Sequence, residues 1–388
     1  MSQPAHAKRG HALLGASKAE QWINCPPSAR AQEHVPDRRS EFADEGTAAH
    51  ELAEIKLLGR LSDQPSKITA AYERFVSENE YYSAEMEGAT DRYADIVEER
   101  FMAAKARSED AVILLEEHLD FSDYVPEGFG TGDVVIIADD VIEVIDLKYG
   151  KGVPVSAIDN PQIRLYALGA YLGYEYLYDI QEIRMTIVQP RLDSVSTDVM
   201  KVEELLEWAE TIVKPAAKLA FEGKGEFKAG SHCRWCKIKG SCRARAEQNM
   251  KVLEHEFQDP AQLSLEEIGQ ILHVAQQLKE WAKDVEDYAF EQAKAGHKVP
   301  DWKLVEGRST RKIADEDALL KALEEAGFPA DSVTETKLLG ISKLEKIVKK
   351  KQLEEIAGDL ITKPPGKPTL VPETDRRPEI NNIEDDFA

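Results

Sequence analysis

The chain is short of cysteine, of long apolar runs and of positive charge. Four cysteines in 388 residues exclude the dense disulfide framework of small secreted domains. No stretch approaches the ~18 consecutive apolar residues of a membrane span, so no membrane partner is expected. The opening residues, MSQPAHAKRG, have no apolar h-region. A signal peptide is therefore not expected, and the expected location is cytoplasmic. Lysine and arginine number 49 against 72 aspartates and glutamates, for a formal net charge of −23. Such a chain cannot hold a nucleic-acid backbone over its whole surface. It would need a local basic groove, a bound cation or a partner. The same acidity also serves plain solubility. The length of 388 residues is enough for one large domain or two, and the 42% of hydrophobic residues can supply a core.

What is present centres on Gly132 to Tyr166, GDVVIIADDVIEVIDLKYGKGVPVSAIDNPQIRLY. Val134–Ala138 and Val141–Leu147 are apolar, β-branched runs, and Asp139 and Asp140 between them favour a turn. The pattern predicts a β-hairpin. Asp133 is then expected at the outer end of the first strand, beside Asp146 and Lys148 at the matching end of the second. Residues two apart on a strand share a face, so Asp146 and Lys148 point together. Strands usually avoid Asp and Lys. Two carboxylates in one place repel each other unless a cation lies between them, and hard divalent ions take oxygen ligands. Together with an ammonium, these are parts for metal-assisted hydrolysis of a phosphate ester. Downstream, Asn160-Pro161 reads as a helix start. Gln162 and Tyr166, four apart, share a face of that helix.

Gly132-Asp133, Asp146-Leu147-Lys148 and Gln162-x-x-x-Tyr166 resemble the motifs of the PD-(D/E)XK nucleases, in their RecB-like branch. Gly stands where the superfamily's name has Pro. The resemblance implies an α/β fold, a restriction-endonuclease-like mixed central sheet flanked by helices. It implies that Asp133 and Asp146 bind Mg2+ or Mn2+, with the Leu147 carbonyl as an extra ligand. Lys148 would assist the attacking water, and Gln162 and Tyr166 would position the strand. Gly46-Thr47 with His50 resembles an early-helix element of these nucleases that supplies a histidine ligand; an ordinary packed or surface histidine is the alternative. The chain as a whole resembles phage and prophage RecB-like proteins. That implies a DNA exonuclease of recombination or replication in a bacterial host cell, working with a single-strand annealing protein. The acidity keeps a different class open: a non-cleaving DNA- or protein-binding module on a nuclease-like fold. An RNA or nucleotide phosphohydrolase would use the same parts.

Around this centre the chain alternates helix and strand signals. Ser17 and Glu20 have capping-box spacing for a helix carrying Trp22, Ile23 and Cys25, which Pro26-Pro27 ends. A second helix is expected from Asp44, with His50 and Glu54 on one face. Residues 67–108 read as a helical insert, and 111–121 as a strand. There Glu116 or Glu117 could approach the metal, though surface placement is the expectation. IRMTIVQPRL reads as a further strand, with Arg191 a surface residue or a phosphate contact. A helix over 201–222 has Val202, Leu205, Leu206, Trp208 and Ile212 as its apolar positions. The order strand, strand, strand, helix, strand, helix suits a mixed sheet.

Three of the cysteines form C-x2-C-x5-C: Cys233, Cys236 and Cys242. Thiols this close are a metal-ligand pattern, and Cys25 is the other thiol that can complete four ligands. One upstream and three downstream thiols resemble the iron–sulfur staple of AddB and of the CRISPR adaptation nucleases. The resemblance implies a [4Fe-4S] cluster on Cys25, Cys233, Cys236 and Cys242. Structural Zn2+ on the same thiols is the rival.

The nuclease motifs and the cysteine cluster define an expected domain over 1–250. A mainly helical region is expected over 251–360. Ser264 and Glu267 form a capping box for a long helix ended by Gly296. Its stripe of Leu265, Ile268, Leu272, Ala275, Leu278, Trp281, Val285 and Tyr288 reads as core or partner-facing. Trp302–Val305 reads as a short strand and 315–326 and 341–356 as helices, the latter with a lysine patch from Lys343 to Lys351. Proline and charge predict a disordered tail over 361–388.

Overall fold

The computed structural model describes residues 12–36, 41–61, 65–250 and 265–303, and every structural statement here concerns those residues. The chain divides into two compact units, Met1–Gln292 and Ala293–Ala388. Of the second, the described part is the end of a helix, Gly296 in a left-handed conformation and an exposed Trp302 in irregular chain.

The first unit is built on a five-stranded mixed sheet in the order β1-β2-β3-β4-β5. The strands are β1 (Val112–Asp120), β2 (Phe129–Ala138), β3 (Val141–Leu147), β4 (Glu182–Gln189) and β5 (Ser194–Lys201). Neighbours pair antiparallel except β3 and β4, which are parallel. A parallel pair needs a crossover, and α6 (Pro161–Tyr174) lies between β3 and β4 in sequence. Its N-terminus is fixed as the sequence predicts: Asn160 accepts hydrogen bonds from Gln162 N and Ile163 N, with Pro161 next. Every residue of β3 is buried, because helices cover both faces of the sheet centre.

On one face α6 packs with α1 (Ala19–Asn24), α2 (Ser28–Ala31), α7 (Val202–Trp208) and α8 (Lys214–Glu222) around Trp22, Ile142, Ile163, Leu165 and Leu205. Gly169 lets α6 approach β1, since a Cβ there would lie 2.9 Å from Leu119 Cβ. On the other face α3 (Glu41–Leu61) and α5 (Ala84–Arg107) cover Val134, Ile136, Ile145 and Leu147 with Ala53, Leu57, Tyr93 and Val97. α4 (Pro65–Glu78) completes the helical layer through Phe75, beside Leu52 and Met86. The segment 67–108 is thus two helices, with α5 capped by the Ser83 side chain.

Several expectations are corrected. β2 begins at Phe129, so Asp133 lies inside the strand rather than at its end. The stretch FGTG has no apolar alternation, yet it pairs with β1 as far as Asp120. Ser17 caps nothing: Ala16–Lys18 is a 3-10 turn leading into α1, without side-chain capping. Glu20 instead accepts a hydrogen bond from Ser231 at 3.1 Å. β5 carries no sequence signal for a strand, because none of SVSTDVMK is fully buried and its two valines are exposed, as on a sheet edge. The expected 201–222 helix carries a π-helical turn at Ala209–Val213. That turn puts Val213 inward and leaves Ile212 48% exposed.

Beyond the sheet, α9 (Arg243–Met250) and α10 (Leu265–Lys294) follow the cysteine loop. Asp284 of α10 is ion-paired to Lys239 at 2.9 Å and to Arg245. Gly240 meets α10 so closely that a Cβ there would lie 2.5 Å from Asp284 O. Leu265, Ile268, Leu272, Val285 and Tyr288 of the expected stripe are exposed rather than core. No described helix is long and apolar enough to cross a membrane. The Ser264 cap, the helices over 315–326 and 341–356, the Lys343–Lys351 patch and the 361–388 tail lie outside the described residues. So does the end of the Trp302–Val305 stretch, whose first two residues are not in a strand.

Candidate metal centre and cysteine cluster

The hairpin register sets the site. Val134 pairs with Ile145, so the next positions, Asp133 and Asp146, lie opposite one another. One Asp133 carboxylate oxygen accepts the Leu147 N–H at 2.7 Å, and the other is 3.2 Å from His50 Nδ1. His50 arrives on α3, which packs over this end of the hairpin.

Glu116 completes the group. It lies on β1 opposite Asp133, between the pairs Leu115–Val134 and Glu117–Gly132. That one step is missing from the ladder because Glu116 adopts φ +50°. A left-handed residue that is not glycine costs about 1–3 kcal/mol, and such strain concentrates at functional sites. The ligand atoms of His50, Glu116 and Asp133 all lie within 4.8 Å of one another, so this group could hold a metal ion. Among the described residues no other three such side chains come this close. The sequence placed Glu116 at the surface; it is solvent-exposed, but its carboxylate turns to the metal group.

A cavity of about 10 Å³ adjoins these residues, walled also by Glu54, Tyr93 and Leu147. That is about the space of one water or one ion. Tyr93 is fully buried, and its hydroxyl has no hydrogen-bond partner among the described residues. An orphaned hydroxyl beside an ion-sized space fits an ion that carries a water. The donor set fits too, with two carboxylates and one imidazole. Tyr93 also belongs to the helix core, beside Ala53, Leu57 and Val97; a hydroxyl at a core position of α5 is the available sequence signal.

Asp146 stands on the other side of Asp133. It is 3% exposed, and its Oδ2 lies 2.7 Å from Lys148 Nζ. Burial raises the Asp146 pKa, with the Lys148 ammonium opposing and the Asp133 charge adding. Burial alone would lower Lys148, but the Asp146 charge and hydrogen bond outweigh it and raise it. Burial would likewise lower His50, and Asp133 reverses that. The Glu116 carboxyl is pushed up to about 7 by burial and by the charges of Asp133 and Glu54. Packed carboxylates that resist ionisation in this way are what a cation would relieve.

Gln162 Nε2 donates to Tyr166 OH at 3.3 Å. The Tyr166 ring lies against Gly130, where a Cβ would come within 2.7 Å of it. Charges on Asp133, Asp146 and Lys148 all reach Tyr166, so α6 closes a wall of the same site. Arg191 is not the simple surface residue expected. Its side chain is 7% exposed and ion-paired to Glu45 at 3.2 Å and Glu85 at 3.1 Å. Its guanidinium lies 4.5 Å from the centre of the Tyr149 ring. It therefore ties α3, which carries His50, to the residue after Lys148. Gln189 holds the adjoining loop, donating to Val153 O and accepting from Val155 N.

The four cysteines are free thiols. Cys25 follows α1 and accepts the Lys228 N–H, while Cys233 accepts that of Gly230. Burial pushes the Cys236 thiol up to about 11, with Cys233, Cys242 and Cys25 near enough to add to it. Hydrogen bonds across the junction hold the two segments together. Lys237 N donates to Gln32 Oε1 at 2.9 Å, and Arg30 Nε donates to Phe221 O at 2.8 Å. His232, buried between Cys25 and Lys228 O, has its pKa raised chiefly by a hydrogen bond with Cys25.

The solved structure described as "Crystal structure of SSO0001" is similar over 58% of this chain and 96% of its own length, at 13% sequence identity. Its TM-score of 0.21 is too low to support an argument. A family model matches residues 11–378. The chain belongs to the family described as "Protein of unknown function (DUF2800)".

Proposed function

We propose that this chain is a metal-dependent deoxyribonuclease of the PD-(D/E)XK type, in the RecB-like branch, acting as an exonuclease. The observation that carries the reading is the meeting of His50, Glu116 and Asp133 around an ion-sized space, with Asp146 and Lys148 beside it. His50, Glu116 and Asp133 would hold Mg2+ or Mn2+, with Asp146 and the Leu147 carbonyl as further ligands. Such an ion, when bound, polarises a phosphoryl oxygen and makes a bound water a nucleophile near neutral pH.

The chain's own side chains do the rest. The Leu147 N–H fixes the Asp133 carboxylate, so the ligands are set before substrate arrives. Asp146 keeps Lys148 protonated and in place. The Lys148 ammonium then faces the oxygen on which phosphate charge grows and helps orient the attacking water. Gln162 and Tyr166 seat the scissile strand. Tyr93 OH would bond the water that no other described group reaches.

The four thiols are proposed to hold a [4Fe-4S] cluster. Resemblance alone favours this cluster over structural Zn2+ on the same thiols. Its role would be to tie the N-terminal segment to the end of the nuclease domain. The proposed setting is phage recombination or replication in the host cytoplasm, with an annealing protein as partner. The net charge of −23 favours a second reading, a DNA- or protein-binding module that does not cut.

Linear duplex, circular duplex and single-stranded DNA incubated with Mg2+ or Mn2+ separate the two. Degradation of linear substrates that is lost in Asp146→Ala and Lys148→Ala supports the nuclease. No cleavage in either metal supports the binding module.

A further inference from the structure

Beyond the metal group the β1–β2 pair continues as an arm, with residues 117–120 on β1 and 129–132 on β2. Neighbouring residues on a strand point to opposite faces, and the contacts fix which face is which. Glu117 accepts a hydrogen bond from the Tyr174 hydroxyl of α6 at 3.0 Å, and Leu119 packs in the core around α6. A Cβ on Gly130 would meet the Tyr166 ring, and one on Gly132 would meet Leu119. His118, Phe129 and Thr131 therefore face the other way, onto the side of the sheet where His50 meets Asp133.

His118 pairs across the arm with Thr131, which makes Phe129 its diagonal neighbour, within reach of an aromatic side chain. The two rings stack, with centroids 5.3 Å apart and planes inclined by 20°. Phe129 is half-buried, while His118 and Thr131 are exposed. The imidazole is thus a ring supported by a second ring and open to solvent. Thr131 is two residues from Asp133, so this ledge lies about 7 Å along the arm from the metal group. That is about two base steps of a stacked nucleic-acid strand.

A ring so placed suits one kind of ligand. Every base has a flat π-face, and stacking on it needs no lysine or arginine. In a chain of net charge −23, stacking holds a nucleic-acid strand without a wide basic groove. Bases inside a duplex are already covered by their neighbours on both faces, so the ledge takes an unpaired one.

We propose that His118, backed by Phe129, stacks an unpaired base of a nucleic-acid strand whose phosphate lies at the His50, Glu116 and Asp133 group. The place of the phosphate rests on the nuclease reading; the stacking itself needs no cleavage. The ring pair also helps to hold β1 to β2, so the test must separate stacking from support.

The readout is binding rather than cleavage. The full chain is titrated by fluorescence anisotropy with labelled oligo-dT and with the same strand carrying one abasic residue, moved position by position. Ca2+ replaces Mg2+, since it also takes oxygen ligands. The wild type is expected to lose affinity about tenfold at one abasic position. His118→Val puts a β-branched residue, well suited to a strand, in place of the ring. It is expected to bind the intact strand about tenfold more weakly and to be indifferent to that abasic position. His118→Phe should restore both properties. A merely supporting role would weaken intact and abasic strands alike. Equal affinity of wild type and His118→Val for the intact strand, an undiminished abasic penalty in the variant, or no saturable binding by the wild type overturns the proposal. Should His118→Val unfold, His118→Gln is put through the same comparison. Binding that depends on His118 without any cleavage in Mg2+ keeps the ledge and rejects the nuclease. Cleavage with binding indifferent to His118 does the reverse.

Discussion

Tyr93→Phe separates the metal-centre account from ordinary core packing. Tyr93 lines the ion-sized space, and its buried hydroxyl has no hydrogen-bond partner among the described residues. An unmatched buried polar group costs about 1–3 kcal/mol. Deleting the oxygen from the metal-free protein should therefore stabilise it, by about 1 kcal/mol at the low end. For a domain of this size that is a rise of about 2–4 °C in melting temperature. With Mn2+ the sign reverses. In the wild type the hydroxyl gains a bound water as partner, and the phenylalanine variant cannot. A lost hydrogen bond of about 1 kcal/mol weakens ion binding roughly fivefold. The melting-temperature gain on adding Mn2+ should then be smaller in the variant, by an amount similar to its advantage without metal. Thermal unfolding followed by circular dichroism, with EDTA and with saturating Mn2+, gives both numbers. A variant destabilised by more than about 1 kcal/mol in EDTA, or one with an undiminished Mn2+ gain, refutes the reasoning.

Three other outcomes are expected. Arg191→Met should cost about 2–3 kcal/mol by chemical denaturation. That is less than a fully buried pair, because Glu85 is partly exposed, but more than a surface one. A loss under about 0.5 kcal/mol would mean that Arg191 does not clamp α3 to the Lys148 strand. Gly130→Ala should displace the Tyr166 ring, which a Cβ would approach to 2.7 Å; weaker strand binding with an unchanged fold, read by anisotropy and circular dichroism, checks this. Asp284 would be raised by burial, but hydrogen bonds from Arg245 and Lys239 hold its pKa below the usual value. Its contribution is therefore fully present above the unfolded pKa of about 3.9 and lost as pH falls through the lower folded value. Urea unfolding from pH 3 to 6 should show the gap between wild type and Asp284→Asn closing at the acid end. A gap independent of pH would contradict the pairing.

The hairpin was legible because its two β-branched runs are long and its turn is short. The Asn160-Pro161 start of α6 was legible because cap and proline signals coincide. Register then followed, and with it the opposition of Asp133 and Asp146. What stayed hidden depended on contacts distant in sequence. Glu116 reads as a strand-surface carboxylate until β1 is registered against β2 and its φ is known. Arg191 reads as a surface cation until α3 and α5 bring Glu45 and Glu85 to it. β5 pairs through its backbone, and its side chains carry little apolar signal. The π turn that swaps Val213 for Ile212 leaves no mark on residue type.

The central claim is that His50, Glu116 and Asp133 gather round one divalent cation. Calorimetric titration of the apo chain with Mn2+ tests it most directly, beside Asp133→Asn and Glu116→Gln. The account predicts a saturable site in the wild type that is lost in Asp133→Asn and at least tenfold weaker, about 1.4 kcal/mol, in Glu116→Gln. Equal Mn2+ binding by all three proteins, or none by the wild type, would contradict it.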